Sequence, residues 1–479
     1  MDRPRIWRMR RILAYENNQK SAQICLIRQI RGLLHWRCCL RIFLILAILL
    51  AVLTPGSGRA QDATPAAVDA AVATAWSDLL LELVRSSPGF TPPVASRAMG
   101  YLGVTLWEAV APGLAGAQSL AGRLNEMPQM PRAVDGAGYD WRLVANSAAA
   151  GILRRLFADA GAQQRTAIDG LEASLRNRYA AGLPPDVVRR SITQGRLVGA
   201  AIFAWSRTDG GHEGYMFNFP VQYVPPSGPG LWTPTPPGYQ RAMQPFWGEN
   251  RPFLLADGAE CQPPPPPDYD TQPTSVMYAD ALAVYETVRN LTPEQREIAL
   301  FWADDPTLTA TPPGHSWAIA TQVLRDEEAT LAQAAETYAR LGIAVADAFV
   351  GCWNTKFVYN RIRPITYIQQ VIDPTWNTPI VLDPVQTPPF PEYPSGHSTE
   401  AAAAAEVLSA LFGEDYVFLD RTQARLGFAP RFFPSFHDAA EEAAVSRLYG
   451  GIHFPTGNDA GLVQGVCVGR RVVGLAFYR

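Results

Sequence analysis

Three short segments carry residue types that could do chemistry together. Lys356-Phe-Val-Tyr-Asn-Arg-Ile-Arg363-Pro364 comes first, Pro394-Ser395-Gly396-His397 second, and Ser446-Arg447-Leu-Tyr-Gly-Gly-Ile-His453 third. Pro-Ser-Gly-His at the start of a helix presents free backbone N–H groups, a hydroxyl and an imidazole at the positive end of the helix dipole, which is a seat for an anion. Lys356, Arg363 and Arg447 supply three cations. Arginine offers a planar fork that matches a tetrahedral oxyanion, and lysine a movable point charge. Of the two histidines, His397 and His453, one can shuttle protons and the other can ligate or attack. Lys356 is the only lysine after residue 60, against 29 arginines, so the chain keeps an ammonium where it uses guanidinium everywhere else. Structural ion pairs at helix ends would explain single charges, but not three ordered motifs with two histidines.

These segments need a frame. Apolar residues recurring at three and four predict helices over 66–84, 93–111, 141–157, 163–179, 185–206, 275–288, 293–302, 315–324, 331–353, 398–411, 439–449 and 458–476, with strand alternation scarce. Thr292-Pro293-Glu294-Gln295 is a helix start with a capping box. Proline and glycine punctuate 219–268, and 263–267 is all proline, so this stretch is neither helix nor central strand. The expectation is an all-α fold of two four-helix-bundle-like halves, 61–218 and 271–479, joined by a Pro-rich wrapping loop at 219–270.

Residues 42–53 are an apolar run behind an arginine-rich stretch, too short to span a membrane and suited to a cleaved export signal over 1–60. That predicts a secreted or periplasmic protein. Residues 61–479 then hold 30 basic against 42 acidic side chains, a balance of −12 that argues against nucleic acid as a partner. Cys261, Cys352 and Cys467 remain, without a CxxC, so no zinc site is indicated and one disulfide of undetermined pairing is open.

Lys-x6-Arg-Pro, Pro-Ser-Gly-His and Ser-Arg-x5-His in this order resemble the signature of vanadium-dependent haloperoxidases and type 2 phosphatidic acid phosphatases. The similarity reaches back to Phe301-Trp-Ala-Asp-Asp305 and Thr311-Pro-Pro313. The resemblance implies a helical-bundle site in which His453 ligates vanadate, or attacks phosphate, and His397 is the acid–base group. Lys356, Arg363, Ser395, the Gly396 amide and Arg447 would hold the remaining oxygens. It implies an acid at Asp305 that pairs with the basic cluster, and it places Trp353 and Phe390 on the halide side. Hydrogen peroxide, a halide and a small organic acceptor would be the partners. The chain departs from the phosphatase-like pattern in one place: an acid often stands four residues beyond the last histidine, and here that residue is Gly457. The expectation is a vanadium-dependent haloperoxidase, with a soluble acid phosphatase acting through phosphohistidine as the alternative; a binding protein with dead catalysis would not need His397. Outside the motifs, His315 is expected to be a helix cap or pocket wall, His212 a solvated loop residue, Arg361 a surface or ion-pair residue, and Glu441 with Glu442 a solvated helix face.

Overall fold

The predicted periodicity folds into helices in a computed structural model that describes residues 64–378 and 387–479. The export segment lies outside the described residues. The N-terminal part holds α1 (Ala71–Ser86), α2 (Pro92–Val110), α3 (Trp141–Leu156), α4 (Ala162–Ala180) and α5 (Pro185–Ser206). The C-terminal part holds α6 (Val276–Arg289), α7 (Pro293–Phe301), α8 (Thr311–Asp326), α9 (Leu331–Tyr359), α10 (Pro364–Val371), α11 (Gly396–Phe412), α12 (Phe436–Tyr449) and α13 (Pro455–Val473). A small antiparallel hairpin, β1 (Phe418–Asp420) with β2 (Arg431–Phe433), is the only sheet among the described residues, which are otherwise helical or irregular. Thr292 and Gln295 form the expected capping box, and Thr330 with Gln333 repeats it at the start of α9.

Two departures bear on the site. α9 runs six residues past its expected end at 353, so Lys356 rides on a helix. Polar Asn354 and Thr355 hide the periodicity there, yet Thr355 is buried, its hydroxyl returned to the Gly351 carbonyl at 2.9 Å. α10, with 8 residues, is too short for periodicity to show, and begins directly after Arg363.

The two parts share one core: Val72, Leu102, Trp107 and Ile152 join Trp317, Tyr338, Val407 and Val468 in a single buried cluster. Close backbone approach makes this possible. Gly461, Gly465 and Gly469, spaced at four on α13, face the alanine-rich α11, where a Cβ on Gly461 would lie 2.6 Å from the Ser395 carbonyl.

From 207 to 275 the described chain has only short 3-10 turns, so the wrapping segment is longer than its proline content suggested. Four fastenings hold it as a strap. Asp347 on α9 accepts from the backbone N–H groups of Phe253, Leu254 and Leu255 at 2.6, 2.8 and 3.0 Å. Leu231 bridges to Arg361, and the Met243 N–H donates to the Pro389 carbonyl at 2.8 Å. Cys261 is disulfide-bonded to Cys467 on α13, 206 residues away. By the chain-entropy argument a closed loop of that length stabilises the fold by about 5 kcal/mol. Cys352 is free and buried.

Candidate active site

The end of α9, the start of α11 and the loop after α12 converge on a cavity of about 230 Å³ that is also lined by Thr235–Gln240 and Met243 of the strap and by Pro388 and Pro389. Lys356 is fully buried behind it. Its Nζ donates to the carbonyls of Pro391 and Glu392, each at 3.1 Å, and to that of Pro394. The ammonium therefore gathers the segment that leads into Ser395-Gly396-His397. Burial lowers its pKa to about 8. Arg363 sits at the N-cap of α10, donating Nε–H to the Phe390 carbonyl at 2.9 Å and Nη1–H to the Ile452 carbonyl at 2.8 Å, while its Nη2 is buried without a partner. Ser395 is the N-cap of α11, and Gly396 opens the helix on the cavity wall. Arg447, near the end of α12, donates Nη1–H to the Trp302 carbonyl at 2.6 Å and leaves its Nε buried and unpartnered. Burial draws Arg363 down to about 9 and Arg447 to about 10, so both remain cationic at neutral pH.

His453 explains the departure at Gly457. Its Nδ1 lies 2.9 Å from Glu392 Oε1, which also accepts the Phe454 N–H at 3.1 Å, and the second Glu392 oxygen is ion-paired with Arg361 at 3.2 Å. A carboxylate so placed accepts, so Nδ1 carries the proton and Nε2 keeps its lone pair. That lone pair accepts from Arg363 Nη1 at 3.2 Å. Burial, with Arg363 and Lys356 beside it, holds His453 well below the usual imidazole range. Glu392 is pushed up by burial and pulled back by Arg361, Arg363 and Lys356. A Cβ on Gly457 would collide with Glu392 Oε1 and lie 2.9 Å from its carboxyl carbon. The acid missing after the last histidine is thus supplied from before His397, and the glycine is what makes room for it.

His397 faces the cavity from the other side, with Nε2 buried and unpartnered. Burial and then Arg447 hold it well below its ordinary value, and the nearby carbonyls of Ala303 and Trp302 act against them. Asp305 also lines the cavity with a buried, unpartnered Oδ2; burial lifts it to about 6 against the pull of Arg447. Trp353 and Phe390 lie together on the wall, ring centroids 4.9 Å apart, with Lys356 Nζ 5.0 Å from the Phe390 ring. Of the ten residues singled out from the sequence, Asp305, Trp353, Phe390, Gly396, His397, Arg447 and His453 line the cavity, and Lys356, Arg363 and Ser395 are buried next to that wall.

Comparison with known proteins agrees with this geometry. Residues 336–478 match the family model of the second helical-bundle domain of vanadium chloroperoxidases. A crystal structure of a bacterial vanadium-dependent iodoperoxidase is 34% identical, covering 86% of this chain and 97% of that one, with a TM-score of 0.77. The chain belongs to the vanadium-dependent haloperoxidases. The vanadium chloroperoxidase of Curvularia inaequalis is 27% identical over 159 residues, which span 29% of this chain and only 26% of that protein. A holo-type bacterial vanadium-dependent chloroperoxidase shares the fold at a TM-score of 0.61 and 18% identity, covering 80% of this chain and 92% of that one.

Two expectations about surrounding residues are corrected and one is narrowed. Arg361 takes the ion-pair alternative: it is buried, paired with Glu392 and with Asp280 at 3.3 Å, and stacked 4.6 Å from the Phe454 ring. Glu442 is not solvated: it is buried, paired with Arg431 at 2.8 Å, and accepts the Trp302 indole N–H at 3.0 Å. His315 is not a helix cap: it lies inside α8, and its ring is enclosed by two carboxylates. The functional residue that sequence reasoning missed is Glu392, and the glycine at 457 was its only signal.

The lone lysine allows a direct test. Three carbonyls around one Nζ suit a compact tetrahedral ammonium and not a planar fork with five donors. Lys356→Arg should therefore keep the charge yet lose at least about tenfold in turnover. Overpacking should also cost about 1–3 kcal/mol of stability. Steady-state rates at saturating vanadate, read beside a melting curve, check both; unchanged rates would make the lysine incidental.

Proposed function

We propose that this haloperoxidase binds vanadate and uses it to oxidise halide with hydrogen peroxide to hypohalous acid, with a small organic acceptor taking up the halogen. The observation that carries the reading is the convergence of orphaned donors. Arg447 Nε and His397 Nε2 are buried without a partner on the cavity wall, beside the lone pair of His453 Nε2, and Arg363, whose Nη1 meets that nitrogen at 3.2 Å, has its Nη2 buried without a partner too. Buried polar atoms are rarely left unpaired. A tetrahedral oxyanion would satisfy these donors and offset the desolvation that lowers every cation there. The residues present fit vanadate.

His453 would ligate the metal through Nε2, with Glu392 holding the ring in that tautomer. Lys356, Arg363, Arg447, Ser395 and the Gly396 amide would hold the oxygens. Bound vanadate supplies a Lewis-acidic centre that activates peroxide. Lys356 and the arginines neutralise the charge held in the seat. Oxidising halide to hypohalous acid takes two electrons from the halide, breaks the peroxide O–O bond and consumes one proton. His397 and Asp305, both facing the cavity, are placed to deliver it. Trp353 and Phe390 give the wall an apolar face that lowers the cost of stripping water from a halide. Iodide is the first halide to assay, given the iodoperoxidase relative. The seat would also accept phosphate, but the relatives found are haloperoxidases by name. Export from the cytoplasm is part of the proposal, and the disulfide supports it, since such bonds persist in oxidising compartments.

Reconstitution tests this. Metal-free protein dialysed against orthovanadate should gain peroxide-dependent iodide oxidation, and inorganic phosphate should suppress it by competing for the seat. Phosphate-ester hydrolysis with no peroxidase activity after vanadate loading would overturn the proposal in favour of the phosphatase.

A further inference from the structure

Beside the anion seat lies a second buried cluster that the proposed chemistry does not use. His315, on α8, has Nδ1 2.9 Å from Asp304 and Nε2 2.9 Å from Asp420, the last residue of β1. None of the three side chains is more than 1% exposed. Two carboxylates facing both ring nitrogens require both to donate, so the ring is an imidazolium. Burial disfavours that charge, and Asp304 and Asp420 together outweigh it, lifting His315 to about 10. The remaining oxygens are also held: Gln423 Nε2 donates to Asp304 at 2.7 Å and the Thr422 N–H to Asp420 at 2.8 Å. Glu400 is the other titratable group close by; burial and Asp304 raise it to about 8, and it accepts from Ser316 at 3.1 Å.

The cluster grips a turn of four residues that reaches into the active site. Trp302 stacks on the His315 ring, centroids 4.4 Å apart, and its carbonyl holds Arg447. The Trp302 and Ala303 carbonyls lie close to the His397 ring and favour its protonated form. Asp305 faces the cavity. Between them Asp304 turns the opposite way, into His315, in a left-handed conformation with φ 50° that is strained for a residue other than glycine. Asp304 thus ties the turn down while its neighbours on both sides serve the site.

We propose that His315, clamped between Asp304 and Asp420, is a positioning residue that fixes the Trp302–Asp305 turn and through it places His397 and Arg447. The proposal rests on the haloperoxidase reading for the reaction it serves. Of the groups that hold the seat's oxygens the clamp reaches only Arg447, through the Trp302 carbonyl, and it leaves His453, Lys356 and Arg363 untouched. Turnover, which also needs His397, should therefore fall by more than vanadate affinity.

His315→Gln can satisfy one carboxylate at most. It should lose about 10–100-fold in kcat at saturating vanadate while the vanadate Kd, from equilibrium dialysis without peroxide or halide, weakens by clearly less, about threefold to fivefold through Arg447 alone. Asp420→Asn keeps an acceptor for Nε2–H and should stay within about threefold of the parent in both. If His315→Gln does not fold, the double variant His315→Gln/Asp420→Asn removes the buried like charges and should show the same split. On the vanadate-free protein, histidine-labelled NMR should show one ring with two downfield N–H protons that persist to pH 9 and vanish in His315→Gln. Unchanged kcat with a lowered Tm would reduce the clamp to a structural ion pair and overturn the proposal; so would a fall in vanadate affinity parallel to kcat. A parent chain with no vanadate-dependent turnover would sink the peroxidase reading alone. The clamp then predicts the same loss in hydrolysis of a phenyl phosphate, and no loss there would overturn it.

Discussion

Gly457→Ala should lower vanadate affinity by about 10–100-fold, although the residue meets the anion seat only through its backbone carbonyl, which accepts the Ser395 N–H at 2.9 Å. The added methyl would occupy the place of Glu392 Oε1. Displacing that carboxylate frees His453 Nδ1, and the ring loses both its orientation and the tautomer that leaves Nε2 open. Glu392→Gln should produce a loss of similar size by a different route, since an amide cannot serve His453, Phe454 and Arg361 as acceptor together. It also leaves Arg361 facing one carboxylate fewer in a buried site. The double variant should be little worse than either single one, because both act through one contact. Vanadate titration of the four proteins measures this. Additive losses, or a Gly457→Ala chain that binds like the parent, would show that Glu392 does not hold His453.

The second large effect is expected at His397. His397→Ala should still bind vanadate through His453, Lys356 and Arg363, but halide oxidation should fall by about 10²–10⁴-fold, the range for a lost acid–base group. Because burial and Arg447 hold the free imidazole well below its ordinary range, it is neutral in the empty seat at neutral pH. A bound anion favours its charged form, so the pH profile of the parent should differ between vanadate binding and turnover. In His397→Ala that difference should disappear, leaving Asp305 as the remaining acid at the cavity. The decisive pair of measurements is vanadium stoichiometry and kcat on one preparation. Full occupancy with undiminished turnover would show that His397 only shapes the seat.

What the sequence made legible was local in origin. Helix identity followed apolar spacing, so α5 was bounded at both ends, whereas α9 was cut short where polar Asn354 and Thr355 broke the pattern. The ten site residues were legible because each sits in a short motif with fixed chemistry. Their partners were not. Glu392 lies 61 residues from His453, and Asp420 lies 105 from His315; carboxylates like these carry no local mark of the imidazole they face. Glu442 was misplaced for the same reason: alternation on α12 exposes it, but Arg431 and the Trp302 indole reach in to cover it. Charged residues look solvated in sequence and become structural only when a distant segment pairs with them.

Lys356 has one more consequence if hypohalous acid leaves the cavity. A primary amine reacts with that oxidant to give an N-haloamine and water, and guanidinium does so far more slowly. After residue 60 the chain carries no lysine except Lys356, which is enclosed by three carbonyls. Its described cysteines are spent in a disulfide or buried. The folded surface from 64 onward therefore presents no lysine side chain or free thiol to its own product. Exposed Met216 on the strap is a soft group left open, and sulfoxide formation there would record the turnovers this enzyme has made.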